Sequence, residues 1–496
     1  MQHEYFPDLP TFREKCREGN VVPVYRQLMA DTLTPVSAFQ KIADSPYAFL
    51  LESVSGPEKI GRYCFLGSSP FALFRSQDDV VEIQEGGQCT RVQTDNPFHE
   101  FRRYLSRFEL AHVEGLPRFS SGAVGYMGYD VVRYVENLPD CPPDDRGLPD
   151  IYYMFLDEIL IFDHLNKTIK VICSVRSDEG DPEELYLDAQ RRIDALIEKL
   201  RTPVSNLSDD ISPHGEITLP WESNFERNDY LDGVEQCKEY IRAGDIFQVV
   251  PSQRLEVTTE SSPLDIYRSL RVINPSPYMF YLKMDNLALV GSSPEVMVRV
   301  EDRQATVRPI AGTRRRGESE EEDKELAQDL LSDPKERAEH VMLVDLGRND
   351  LGRVCRYGSV TVDEVMVIER YSHVMHIVSN VTGELAEDRD ALDALMACIP
   401  AGTLTGAPKV RAMEIIDELE PSKRGPYGGA VGYFDFSGNM DTCITIRTVV
   451  SRSGKAWVQA GGGIVADSVP KKEWEETLNK AKALLRAIQV AEMMDQ

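Results

Sequence analysis

The sequence predicts a mixed α/β protein of the α+β kind, rich in sheet. Short runs of β-branched and aromatic residues recur in both halves, at 47–51, 151–156, 169–175 and 278–284. Two other stretches, 181–200 and 470–488, repeat apolar residues every three or four positions, as amphipathic helices do. Strand and helix signals do not alternate with the rhythm of a doubly wound parallel sheet.

In chain order, the first clear helix spans 181–200. Asp181 stands at its cap, Pro182 in its first turn and Glu184 at capping-box spacing, and Leu185, Ala189, Ile193, Leu196 and Leu200 form one stripe. Breakers follow: Pro203, Ser205, Asn206, Ser208, Asp209, Asp210, Ser212, Pro213, Gly215 and Pro220. They mark a linker over 201–222, dividing an N-terminal region (1–222) from a C-terminal one (223–496). Leu231, Val234, Cys237 and Ile241 predict a helix ending near Gly244. Strands are expected at 246–257, 278–284, 287–300 and 303–310. The last helix is expected to start at Ser468-Val469-Pro470 and to bury Trp474, Leu478, Ala481, Leu485 and Ile488. Gly122-Ala123-Val124-Gly125-Tyr126 returns as Gly429-Ala430-Val431-Gly432-Tyr433. Either the two regions contain related sheet units stacked face to face, or a glycine-rich strand repeats by coincidence.

The net charge of −27 over 496 residues opposes binding to nucleic acid or to an anionic membrane. No run approaches the roughly 18 apolar residues that a membrane helix needs. The N-terminus lacks a signal-peptide pattern, so a cytoplasmic setting is expected. The nine cysteines show no zinc spacing and read as reduced, mostly buried thiols.

Chemistry-bearing residues gather in the C-terminal region. Pro309-Ile310-Ala311-Gly312-Thr313-Arg314 ends a strand in a turn whose amides and Thr313 hydroxyl suit a carboxylate, although a surface turn has the same composition. Glu339-His340 and Asp345–Asp350 follow, with Arg348 and Asp350 reading as a helix-end ion pair. His376 lies in an apolar run and is either a core residue or a catalyst. Gly402–Lys409 opens a helix without Walker spacing. Gly461-Gly462-Gly463 lets backbone approach a ligand or simply turns. Glu476 is a metal ligand or an i,i+4 partner of Lys480. Arg447 falls in a strand expected over 443–449. Carboxylates without a phosphate loop point to a magnesium-assisted enzyme for a small anionic substrate.

These segments, in this order, resemble the chorismate-utilising enzymes, in detail over 226–490 and more loosely before it. The resemblance implies large antiparallel sheets packed as a sandwich with helices outside. It also separates the branches of the family. Members that add water carry a lysine base where Gln248 stands. Aminodeoxychorismate synthases carry a nucleophilic lysine where Ala311 stands. The pattern therefore implies the anthranilate-forming branch: a lyase adding ammonia to chorismate and then losing pyruvate. Aminodeoxychorismate synthase is the nearest rival, an enzyme that stops at the aminated intermediate is harder to exclude, and a catalytically dead amino-acid sensor is the rival of another class.

By the same resemblance, Glu339 and Glu476 would hold Mg²⁺, and Glu295 would be the general acid, requiring burial to raise its pKa. His376 would assist proton transfer. Thr403, Gln248, Gly312, Thr313, Tyr427, Arg447, Gly461, Gly462 and Gly463 would line the substrate pocket, with Arg447 clamping the enolpyruvyl carboxylate. Leu50-Leu51-Glu52-Ser53 and Asn274–Phe280 resemble the family's tryptophan-inhibition motifs. Glu52, Ser53, Pro277, Tyr278 and Met279 would bind that inhibitor, Glu52 meeting its ammonium. No Gly-x-Cys-x-Gly turn is present, so the glutaminase that supplies ammonia would be a separate subunit of a hetero-oligomer.

Overall fold

The structure is a computed structural model that describes residues 4–53, 61–203, 211–213, 215–371 and 374–494. Part of the expected linker, 204–210 and 214, lies outside the described residues.

One order of elements occurs twice. The first copy runs Val21–Met29, helix Pro35–Ile42, then strands Tyr47–Glu52, Tyr63–Ser68, Ala72–Gln77 and Val80–Glu85. It resumes with strands Gly122–Met127, Ile151–Leu156, Glu158–Asp163 and Thr168–Arg176 and closes with helix Pro182–Arg201. The second runs Ser252–Thr258, helix Pro263–Ile273, then Tyr278–Met284, Leu287–Ser293, Val296–Glu301 and Gln304–Val307. It resumes with Ala430–Asp435, Met440–Ile444, Thr448–Arg452 and Lys455–Gly461 and closes with helix Pro470–Met494.

The copies join edge to edge, giving antiparallel sheets of 11 and 12 strands among the described residues. In the first sheet Tyr47–Glu52 meets Tyr278–Met284 at the join, with Leu50 opposite Tyr281. In the second Gly122–Met127 meets Ala430–Asp435, with Gly125 opposite Gly432. The echoed glycine motifs are thus neighbouring strands rather than stacked ones. Both sheets draw strands from either side of residue 222, so the expected division marks a repeat, not two separate bodies.

Packing follows from side-chain alternation along each strand. In Tyr278–Met284, Met279 and Tyr281 face an outer core under the helices, while Phe280, Leu282 and Met284 face a core between the sheets. The expected helices form. Asp181 caps Pro182–Arg201 by accepting from the Glu183 amide at 2.9 Å, and the expected reciprocal bond from Glu184 is not made. Gly244 ends Arg227–Ala243 with φ 87°, where an L side chain is strained. The expected strand over 287–300 is two strands in different sheets, broken at Pro294-Glu295. The expected strand over 443–449 breaks likewise, Met440–Ile444 lying in one sheet and Thr448–Arg452 in the other.

Side-chain space at the central join is nil: a Cβ on Gly432 would stand 2.0 Å from the Asp441 carbonyl oxygen, and one on Gly125 2.0 Å from that of Tyr152. Gly432→Ala is expected to destabilise by about 1–3 kcal/mol, at the upper end because the obstacle is backbone. Gly352→Ala, with open space around it at a helix end, should be neutral or stabilising by up to about 1 kcal/mol. Urea unfolding of both variants checks this; equal stability would contradict the packing.

Candidate functional site

The two crossings between sheets lie side by side. Crossing backbone loses its ladder partners, and here the segments satisfy each other. The Ile444 amide donates to the Glu295 carbonyl at 3.0 Å, the Ser292 amide to the Arg447 carbonyl at 3.0 Å, and the Ser293 hydroxyl to the Ile444 carbonyl at 2.6 Å. Arg447 takes the left-handed conformation, φ 51°, which turns its side chain out of strand alternation. The crossings thereby set Glu295 and Arg447 on one cleft of about 520 Å³.

Gln248, Gly312, Thr313, Glu339, His376, Thr403, Tyr427, Gly461, Gly463 and Glu476 line the same cleft. Gly462 does not; a Cβ there would stand 3.3 Å from a Glu473 oxygen. Gly463 leaves room for the Gln248 amide, 2.4 Å from where its Cβ would be. Ile310–Arg315 is interrupted by a bulge between Ala311 and Arg314, and Gly312 within it has φ 65°. The bulge presents the Gly312 carbonyl to His376 Nδ1 at 2.8 Å and the Thr313 hydroxyl at 3.2 Å. A carbonyl only accepts, so Nδ1 carries the proton and Nε2 keeps its lone pair. Burial pushes the His376 pKa down, favouring this neutral form. His340 is instead the core histidine, fully buried against the Ser379 hydroxyl.

Glu295 is buried, with Thr403 Oγ1 at 3.3 Å from each carboxyl oxygen, and desolvation raises its pKa to about 8. It is a carboxylic acid at neutral pH. Arg447 makes one hydrogen bond, Nη1 to the Lys480 carbonyl at 2.6 Å, and no ion pair among the described residues. Glu476 acts on this half-buried guanidinium only from beyond ion-pair distance, which leaves its other donors for an anion in the cleft.

Residues that the motifs had not marked also line the cleft: Lys335, Glu336, Gln459, Glu473 and Lys480. Their signal was helical spacing, Glu336 with Glu339 and Glu473 with Glu476 at i,i+3. The helices Pro334–Gly352 and Pro470–Met494 thus bring two carboxylates each to the cleft. The Glu339 and Glu473 pKa values are raised, first by burial and then by carboxylate neighbours, Glu336 for the one and Glu476 for both. Among the described residues no group of three His, Cys, Asp or Glu forms a finished metal cage. Lys480 Nζ lies 2.7 Å from Glu476 and 2.9 Å from the Gly461 carbonyl. The expected Arg348–Asp350 pair is not formed. Arg348 meets Asp345 at 3.0 Å, and Asp350, inward-facing, takes Lys409 on both oxygens at 3.0 Å.

A second cleft of about 890 Å³ opens between the sheets. Glu52, Ser53, Pro277, Tyr278 and Met279 all line it, with Tyr433, Arg118, Arg299 and Asp441. The Ser53 hydroxyl there is buried and has no partner among the described residues. Glu52 does not offer the free carboxylate expected of it. Strand alternation sends its side chain toward the helix Pro263–Ile273, where Arg271 donates at 2.7 and 2.9 Å and the Tyr267 hydroxyl at 2.5 Å.

The family model described as chorismate binding enzyme matches residues 63–486. Anthranilate synthase component 1 of Acetivibrio thermocellus is 50% identical, over 98% of this chain and 99% of its own. That of Pseudomonas aeruginosa is 52% identical over 95% and 96%. The crystal structure of anthranilate synthase component I from Streptococcus pneumoniae superposes with a TM-score of 0.76 at 36% identity, covering 92% of this chain and 99% of that one.

The buried acid has a spectroscopic consequence. Infrared difference spectra should show a carboxylic C=O band that persists through neutral pH and is lost as pH rises through about 8. It should be missing in Glu295→Gln; the same band in that variant would assign it elsewhere.

Proposed function

Because the chain belongs to the chorismate binding enzyme family, we propose that it catalyses the anthranilate synthase reaction, converting chorismate and ammonia to anthranilate, pyruvate and water. The observation that carries the reading is the pairing, on one cleft, of a neutral carboxylic acid, Glu295, with an anion-seeking arginine, Arg447. Arg447 and the Tyr427 hydroxyl hold the enolpyruvyl side chain. His376 Nε2 accepts a hydrogen bond from the ring hydroxyl that will depart, orienting it, and Glu295 gives that hydroxyl the proton with which it leaves as water. Ammonia forms the new C–N bond at the ring carbon beside the carboxylate while the ring double bonds shift. It is its own nucleophile, so the neutral Gln248 suffices at the position where water-adding relatives carry lysine. Loss of the enolpyruvyl group as pyruvate, with a ring proton, makes the ring aromatic.

The carboxylates of Glu336, Glu339, Glu473 and Glu476 are hard oxygen donors of the kind Mg²⁺ takes. Bound there, the ion would draw electron density onto the ring carboxylate. The relatives' designation as component 1 supports a companion component, which we take to be a separate glutaminase supplying ammonia. The inter-sheet cleft is the proposed tryptophan site. Its aromatic walls suit an indole, and the unpartnered Ser53 hydroxyl supplies a polar contact.

The purified chain with chorismate, Mg²⁺ and ammonium should release anthranilate and pyruvate in equal amounts, and both should stop with EDTA or with tryptophan. Chorismate consumption without pyruvate would replace this reading with that of an enzyme releasing the aminated intermediate. The pH profile carries a sign. A raised carboxyl pKa keeps the acid form below about pH 8 and loses it above, so the rate per unit of free ammonia should fall with rising pH through that value. Glu295→Gln should lose roughly 10²–10⁴-fold in kcat, the usual scale for a general acid, and should lack that limb.

A further inference from the structure

The wall of the inter-sheet cleft is hydrogen-bonded directly to the two crossings that carry Glu295 and Arg447. Helix Pro263–Ile273 ends at Asn274, which caps it through its own amide to Leu270. Asn274 Nδ2 donates to Ser292 Oγ at 2.9 Å, and Ser292 Oγ donates back to the Asn274 carbonyl at 2.6 Å. The Ser292 amide in turn donates to the Arg447 carbonyl at 3.0 Å. Two residues on, Ser276 Oγ donates to the Ser293 carbonyl at 2.5 Å. Ser293 Oγ donates to the Ile444 carbonyl at 2.6 Å, and the Ile444 amide reaches Glu295. Ser292 and Ser293 are fully buried, so water cannot take over a bond that either gives up. The same helix carries Tyr267 and Arg271, which hold Glu52 on the other wall.

We propose that Ser292 and Ser293 are positioning residues that couple the two clefts: an occupant of the inter-sheet cleft displaces Asn274–Tyr278, and the two serines pass that displacement to Arg447 and Glu295. The coupling rests on reading the inter-sheet cleft as a tryptophan site. It is reciprocal, so chorismate must weaken tryptophan by the factor with which tryptophan weakens chorismate. The first sequence copy supplies an internal control. Gly67-Ser68-Ser69-Pro70 occupies the same crossing in that copy as Gly291-Ser292-Ser293-Pro294 does here. There, among the described residues, Ser68 Oγ bonds only the Tyr47 carbonyl, at 3.3 Å, and Phe71 stands in the place of Glu295.

The test is calorimetric titration of the full chain with tryptophan, with and without saturating chorismate, alongside steady-state kinetics with ammonium. In the unaltered chain the two tryptophan Kd values should differ by a factor in the roughly 5–150-fold range usual for coupled sites. In Ser292→Ala and Ser293→Ala the factor should collapse toward one while tryptophan alone still binds. Ser292→Ala should raise the chorismate KM, through Arg447, more than it lowers kcat. Ser276→Ala cuts the second link from its other end and reads the same coupling if Ser293→Ala does not fold. Ser68→Ala should keep both coupling and activity. Undiminished antagonism in serine variants that bind tryptophan overturns the coupling role, as does equal loss in Ser68→Ala. No antagonism in the unaltered chain overturns the tryptophan reading itself, a different result.

Discussion

A strand that leaves one sheet of a sandwich for the other gives up its ladder hydrogen bonds for two or three residues, where water cannot replace them. The cleft that holds Glu295 and Arg447 depends on how that cost is met. Pro294-Glu295 and 445–447 cross in opposite senses and bond to each other. The backbone is thereby fixed at the two points where the proposed chemistry needs it, and both side chains leave normal strand alternation to enter one cleft. A site made this way is as rigid as the sheets that it joins, which is what preorganised catalysis requires.

The floor is tied down as firmly. Arg424, 2% exposed, donates to the Leu404 carbonyl and the Val250 carbonyl, both at 2.7 Å, and pairs with the buried Glu420. Glu420 also accepts from the amide and the hydroxyl of Ser252, and Arg424 lies over the Tyr427 ring. One guanidinium thus joins the segment of Thr403, the segment that follows Gln248, and Tyr427. Leaving either partner of such a pair alone costs about 3–5 kcal/mol, so the pair serves geometry more than net stability. The repeat sharpens the point: the first copy crosses between the same sheets with the same Gly-Ser-Ser-Pro turn, yet offers Phe71, so its crossing carries no acid.

Much of this was legible in the sequence, for identifiable reasons. Helices with a one-sided stripe and a marked end, 181–200 and the last one, lie where periodicity put them, because burial of that stripe is what makes them helices. Motif resemblance singled out Glu295, Arg447 and His376, which the structure sets on one cleft, but gave no sign of the crossings that hold two of them there. Strand propensity runs straight through 287–300 and 443–449, because leaving one sheet for another changes partners, not residue preferences. The Glu52 ion pair was hidden similarly: Tyr267 and Arg271 come from a helix more than 200 positions away. Glu336 and Glu473 were missed because single acidic residues on polar helix faces look solvated until two helices turn them to one cleft. The GAVGY echo was visible, and only pairing shows that it lies at the symmetric join of one sheet.

Charge explains the remaining division of labour in the proposed reaction. With Glu295 neutral, Glu336, Glu339, Glu473 and Glu476 set four negative charges against the three positive charges of Lys335, Lys480 and Arg447. That leaves the cleft slightly anionic inside a chain of net charge −27, an unfavourable place for a substrate with two carboxylates. The lysines alone do not reverse the balance, and Lys480 is already engaged by Glu476. A divalent cation between the two acidic helix faces would reverse it, and would supply a counter-charge for the ring carboxylate. On this reading each carboxylate of the substrate has its own counter-charge, and the neutral acid between them is spared from ionising, because no cation stands beside it to stabilise its anion.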